Sequence, residues 1–151
     1  MPQRNGVSIR ELGRDEIERI LARNNVGRIA YSFRDRVDIE PLHYAYADGW
    51  LYGRTSHGTK FADVQHNRWV AFEVDEVDGV FSWRSVVVHG ALYVLSEDRP
   101  PREIQAWRRA VELLREIIPE TFTDDDPVSE RTAVFRIHAD EMSGRAAEPG
   151  A

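Results

Sequence analysis

The sequence predicts a mainly β fold of the α+β class: six strands in an antiparallel barrel or sandwich, with few and peripheral helices. Three observations carry that expectation. Runs of alternating or β-branched apolar residues recur at Arg28 to Phe33, Val37 to Ala47, Trp50 to Thr55, Trp69 to Asp75, Phe81 to Leu95 and Thr132 to His138. Several are joined by links of hairpin length, which favours antiparallel neighbours over the long crossovers of a parallel sheet. Helical spacing of apolar residues is confined to short stretches between these runs. Closing the strands into a barrel would also remove their exposed edges.

In chain order, Met1 to Val7 is polar and expected to be frayed. Ser8 and Glu11 have capping-box spacing, but Gly13 follows too soon for a long helix to start there. From Asp15, the spacing of Ile17, Ile20 and Leu21 predicts an amphipathic helix that ends at Asn24-Asn25 and Gly27. The first two strands are separated by the turn Arg34-Asp35-Arg36, and Pro41 interrupts the pattern of the second. Asp48-Gly49 is a strong hairpin signal leading into the third strand. Phe61 and Val64, three apart, place a short helix after Gly58. Glu76 to Gly79 reads as an acidic turn, and Gly90 inside the longest apolar stretch marks a bulge or close backbone approach. Pro100-Pro101 opens a helix over Arg102 to Ile118, whose Ile104, Trp107, Val111, Leu114 and Ile118 form one apolar face. Thr121 to Glu130 is an acidic loop, Thr132 to His138 the last strand, and residues 143–151 are expected to be flexible. One domain over residues 1–151 is the default at this length.

Composition narrows the function. Hydrophobic content of 42% and charge of 30% are globular values. A net charge of −6 with interspersed signs argues against nucleic acid as a partner. With no cysteine, disulfides, thiolate metal sites and cysteine nucleophiles are excluded. No apolar run reaches membrane-spanning length, so a cytoplasmic protein is the expectation.

The stretch that concentrates chemistry is Arg54-Thr55-Ser56-His57-Gly58-Thr59-Lys60, at a strand-to-helix junction. Hydroxyls, cations and the free N–H groups of a helix start together suit an anion such as phosphate. The plain alternative is a turn capped by Ser56 or Thr59.

Beyond that stretch, Val26-Gly27-Arg28-Ile29-Ala30, Pro41-Leu42-His43-Tyr44, Leu51-Tyr52-Gly53 running into Arg54 to Lys60, and Asn67 with Val70 to Val74 follow one another in a particular order. Trp83 to Gly90 and Ile137 through Ser143-Gly144-Arg145 continue it. This series resembles the pyridoxamine 5′-phosphate oxidase-like, FMN-binding split-barrel superfamily, in its flavin-nucleotide-binding branch that includes nitroimidazole reductases. The resemblance implies a six-stranded antiparallel split β-barrel with peripheral helices, and a homodimer with the flavin at the subunit interface. It implies that Thr55, Ser56, Thr59 and Lys60 hold the FMN phosphate with Arg54 nearby. The isoalloxazine would lie along the backbone of Glu40, Pro41 and Leu42 beside His43, with Trp83 and Ser85 on the other flavin-contacting strand. It implies an oxidoreductase that takes electrons from a reduced nicotinamide to a small molecule, with a non-catalytic flavin carrier, or a deazaflavin or haem in the same barrel, as alternatives. Arg68 departs from the family, which usually has proline there.

The remaining candidates have plainer readings. The five histidines fall in no metal-ligand pattern. His66 and His138 read as surface residues, and Trp107 as core. Asp124-Asp125-Asp126 lacks the glycine and terminal glutamate of a calcium loop and reads as a solvated loop. Asp75, Glu76 and Asp78 read as a turn facing water.

Overall fold

A computed structural model describes residues 6–56, 67–98 and 100–150. Among these residues, eight strands and two helices follow in the order β1 (Val7–Glu11), α1 (Arg14–Arg23), β2 (Val26–Phe33), β3 (Arg36–Ala47), β4 (Trp50–Thr55), β5 (Trp69–Gly79), β6 (Ser82–Leu95), α2 (Pro101–Ile117), β7 (Ala133–His138) and β8 (Glu141–Pro149). All strand pairings are antiparallel.

The six predicted strands close a ring: β2 pairs β3, β3 pairs β4, β4 pairs β7, β7 pairs β6, β6 pairs β5, and β5 returns to β2. The barrel is split because β6 changes partner along its length. Trp83–His89 pairs with β8, whereas Leu92–Leu95 pairs with β7. Gly90 sits at the change. A Cβ there would lie 1.7 Å from the His138 carbonyl oxygen, so the predicted close approach is real and only glycine permits it.

Both ends differ from the expectation. The segment Ser143 to Pro149, expected to be flexible, belongs to β8, and Val7 and the Ser8–Glu11 stretch form β1 rather than a capped helix start. β8 pairs β6 on one side and β1 on the other. These strands exist because β6 offers an unpaired edge, a tertiary cause without local periodicity. The acidic turn also moves: β5 continues through Glu76 to Gly79, and the reversal falls at Val80–Phe81. Glu76 can sit in a strand because Arg23, Arg84 and Asn24 all donate to its carboxylate, at 2.5, 2.8 and 2.7 Å. The Asp48-Gly49 turn has φ of 52° and 82°, the left-handed pair its sequence predicts. The short helix expected after Gly58 lies outside the described residues.

The interior holds Ile29, Tyr31, Leu42, Tyr44, Leu51, Phe72, Val86, Val88, Phe135 and Ile137. Ile17, Ile20 and Leu21 of α1 join the same cluster, and the Tyr44 hydroxyl donates to the Leu21 carbonyl at 2.7 Å, tying α1 to β3. A second cluster lies outside the ring, where α2 presses Ala106, Ala110 and Leu113 onto Tyr52, Leu95 and Val134. Trp107 stacks on Phe122 at its margin, a half-buried role rather than deep core.

Candidate functional site

Strand alternation assigns each predicted site residue to a face. Leu42 and Tyr44 of β3 point inward, so Pro41 and His43 point outward with the exposed Val37 and Ile39. On β6 Val86 and Val88 are interior, which turns Trp83, Ser85 and Val87 outward. Register joins them: Pro41 pairs with Arg28, Arg28 with Glu73, Glu73 with Val87, and Val87 with Ser143. This row crosses a sheet face that no described helix covers. Pro41 and Val87 stand three strand spacings apart, about 14 Å at about 4.8 Å each. The β3 and β6 candidates of one copy are therefore brought to one face but not to one point.

The β3–β4 register runs only from Tyr44 to Ala47. Among the described residues Pro41 therefore has no β4 partner, an edge position where a missing N–H costs nothing. The same geometry leaves the Glu40 to Leu42 backbone outside that ladder, where a ligand could approach it.

At the end of β4, Thr55 and Glu40 do meet: the Thr55 hydroxyl donates to Glu40 Oε1 at 3.3 Å. Ser56 follows and is exposed. Thr59 and Lys60 lie outside the described residues. Arg54, expected near a phosphate, spends its guanidinium on a carboxylate. Its side chain is 4% exposed, its Nη atoms donate to Asp126 at 2.6 and 2.9 Å, and its guanidinium lies over the Phe122 ring. Asp126 is held well below the usual carboxylate range by those bonds, and it also accepts from the Phe122 and Val128 amides. So Asp126 is not part of a solvated loop, and Arg54 is a structural cation committed to it. A chain separation of 72 residues hid this pair from any reading of spacing.

His43 stands at the boundary of the covered and bare surfaces, beside Leu114 and Ile117 of α2, with Arg54 and Arg131 lining the same small cavity. Burial first, and then the charges of Arg131 and Arg54, hold its pKa below the ordinary value. The imidazole is therefore neutral at pH 7 and has a hydrogen bond, not a positive charge, to offer. Arg131 is a functional candidate the sequence did not single out; its place just before β7 puts it beside the end of β4, since Thr55 pairs with Ala133.

Around β6 the face is polar in its middle. The Ser85 hydroxyl donates to Glu73 Oε2 at 3.0 Å, and Arg28 reaches Glu73 at 3.2 Å and Asp75 at 3.5 Å. Burial pushes the Glu73 carboxyl up, opposed by the Ser85 hydroxyl. Trp83, Ser85, Val87 and His89 line one side of a cleft of about 580 Å³, and Met142 to Arg145 of β8 line the other. That volume is in the range of small-molecule sites. Glu73 and Arg28 escaped the sequence reading because their partners sit on neighbouring strands.

Comparison with known proteins agrees with this architecture. A sequence profile of the pyridoxamine 5′-phosphate oxidase family matches residues 13–146. The crystal structure of a FAD-binding protein from Mesorhizobium loti superposes with a TM-score of 0.75 at 31% identity, covering 93% of this chain and 99% of that one. A protein from Bacteroides thetaiotaomicron described as a putative 5-nitroimidazole antibiotic resistance protein shares the fold, with a TM-score of 0.68 at 18% identity over 94% of this chain and 89% of its own. An uncharacterized protein of Rhizobium meliloti (strain 1021) is 28% identical over 94% of this chain and 97% of its length. Matched across nearly its whole length and folded as a split barrel, the chain belongs to the pyridoxamine 5′-phosphate oxidase family, in its flavin-binding split-barrel superfamily.

Proposed function

We propose that the chain binds FMN in a seam between two copies and is an oxidoreductase that passes electrons from a reduced nicotinamide to a small molecule. The observation that carries this reading is the division of the ring-contacting candidates over one bare face. Pro41 and His43 on β3 stand about 14 Å from the β6 residues of the same copy. Two copies packed face to face would bring β3 of one against β6 of the other. The exposed Val37, Ile39, Val26 and Trp69 on that face support an interface there.

The residues present fit a flavin nucleotide. The open backbone of Glu40 to Leu42 and the neutral His43 offer hydrogen bonds to a ring edge, and Trp83 with Val87 offers apolar surface. Thr55 and Ser56 offer hydroxyls for a phosphate, continuing into Thr59 and Lys60. Arg54 has no part in that grip, because Asp126 holds it. A bound flavin supplies the hydride-accepting chemistry; the protein orients it, screens it from water and tunes it through hydrogen bonds. FAD is the second reading, favoured by the Mesorhizobium loti protein's description as FAD-binding.

Absorbance and mass spectrometry of the purified protein identify the flavin, and bleaching by NADH or NADPH tests the electron donor. Affinity then locates the phosphate. Lys60→Ala is expected to weaken FMN by about one to two orders of magnitude, one charge-assisted hydrogen bond being worth about 1.5–3 kcal/mol. Riboflavin, which lacks the phosphate, should bind unchanged. Equal loss for both ligands, or none for either, would overturn the placement.

A further inference from the structure

Ser85 presents its hydroxyl to the cleft beside β6, between Trp83 and Val87 on the same outward face. A free serine hydroxyl donates or accepts by turning about its C–O bond. This one is not free. It donates to Glu73 Oε2 at 3.0 Å, and Arg28 Nη1 donates to Glu73 Oε1 at 3.2 Å. With a donor on each oxygen, Glu73 acts as a carboxylate, which only accepts. The Ser85 proton is therefore committed to β5. What Ser85 has left for the cleft is its oxygen lone pairs, made more basic by the negative charge behind them.

Strand register holds this arrangement. Glu73 pairs with Val87 and Asp75 with Ser85, so the Ser85–Glu73 bond runs diagonally between two rows of the outer face. Arg28 pairs with Glu73 from the opposite side and also reaches Asp75 at 3.5 Å. The carboxylate is thus fixed between β2 and β6, and it settles which way the Ser85 hydroxyl points.

A hydroxyl of one fixed polarity discriminates among ligand edges. The oxidised isoalloxazine has a single ring N–H, at N3, and its remaining polar ring atoms are acceptors. We propose that Glu73 is a positioning residue that makes Ser85 an obligate hydrogen-bond acceptor, and that the cleft therefore selects a ring N–H. On the flavin reading, on which this rests, the N3–H edge of the isoalloxazine faces Ser85. Any other edge would set acceptor against acceptor and leave both unpaired.

The probes are FMN and 3-methyl-FMN, which carries a methyl group in place of the N3 proton. Each is titrated into the full chain and followed by quenching of flavin fluorescence. The measurement is made at pH 8, above the ordinary carboxyl range, because burial pushes Glu73 up. FMN is expected to bind about tenfold more tightly. Glu73→Gln separates hydrogen bonding from simple exclusion of the methyl group. Arg28 draws the amide oxygen to itself, the amide nitrogen then donates to Ser85, and the hydroxyl turns to face the cleft as a donor. The preference should fall to about one, mainly through weaker FMN binding. Ser85→Ala should remove it as well, with Glu73 left on Arg28. Riboflavin and 3-methylriboflavin should repeat the pattern, which sets the phosphate aside. Equal affinities in the unaltered chain, or a preference that persists in either variant, would overturn this proposal alone. Failure of FMN to bind at all would overturn the flavin reading and this inference with it.

Discussion

The barrel has two outer surfaces, built from the same alternating strands and treated oppositely. On β3, β4 and β7, the outward Ala45, Tyr52 and Val134 lie under Ala106, Ala110 and Leu113 of α2. On β2, β3 and β5, the outward Val26, Val37, Ile39 and Trp69 are 48%, 72%, 64% and 48% exposed. β3 runs from the bare surface onto the covered one, with His43 at the border. An amphipathic strand pattern therefore does not say what covers its outer side. One face found a helix in its own chain; the other leaves apolar side chains exposed, which the proposed second copy would cover.

The sharpest way to break the comparison is on the covered side. Asp126→Ala would leave Arg54 buried and uncompensated, and should cost about 3–5 kcal/mol in urea unfolding. Combining Arg54→Met with Asp126→Leu should recover only part of that loss, because the Phe122 and Val128 amides also lose their acceptor.

Next comes Glu76, which braces α1 to β5 and β6 and is 16% exposed. Its arginine partners hold its pKa down to about 2, from an ordinary 4.5. The stabilisation is complete above pH 4.5 and drains away as pH falls toward 2, amounting to about 3 kcal/mol at most. Chemical unfolding measured between pH 2 and 6 should show that slope, and Glu76→Gln should flatten it.

On the bare side the same kinds of change should be mild. Arg28→Ala removes pairs to Glu73 and Asp75 that lie largely in solvent, and should cost less than about 1 kcal/mol. Ile39→Asp should alter monomer stability by no more than about 0.5 kcal/mol. It should nevertheless shift sedimentation from dimer to monomer. A dimer that survives Ile39→Asp unchanged would move the interface elsewhere and remove the main support for the two-copy site.

Legibility followed the same divide between local and long-range causes. The six ring strands, α1, α2, the Asp48-Gly49 reversal and Gly90 all declare themselves through periodicity or a special backbone need. β8 reads EMSGRAAEP, with no alternation to detect, and is a strand because β6 presents an edge to it. For the candidates on β3 and β6 the strand that bears each was readable, and alternation gave the face of Pro41 and His43. What each side chain touches was not readable: Arg54 finds Asp126, Ser85 finds Glu73, and Glu76 finds Arg23 only after the chain has folded back on itself.

The outlying pair of β1 and β8 has a kinetic consequence. The six-stranded ring is complete by His138, and the pairing of Val7 with Pro149 joins segments from opposite ends of the sequence. Such a ribbon can come away as a cooperative unit at less free energy than global unfolding. Amides of Ser143 to Ala147 should then exchange with solvent hydrogen sooner than those of Val70 and Phe72 in the barrel wall. Ser143 and Arg145 also line the cleft beside Trp83. Each opening of the ribbon removes one side of that cleft, so a ligand held against it should slow the exchange of the β8 amides.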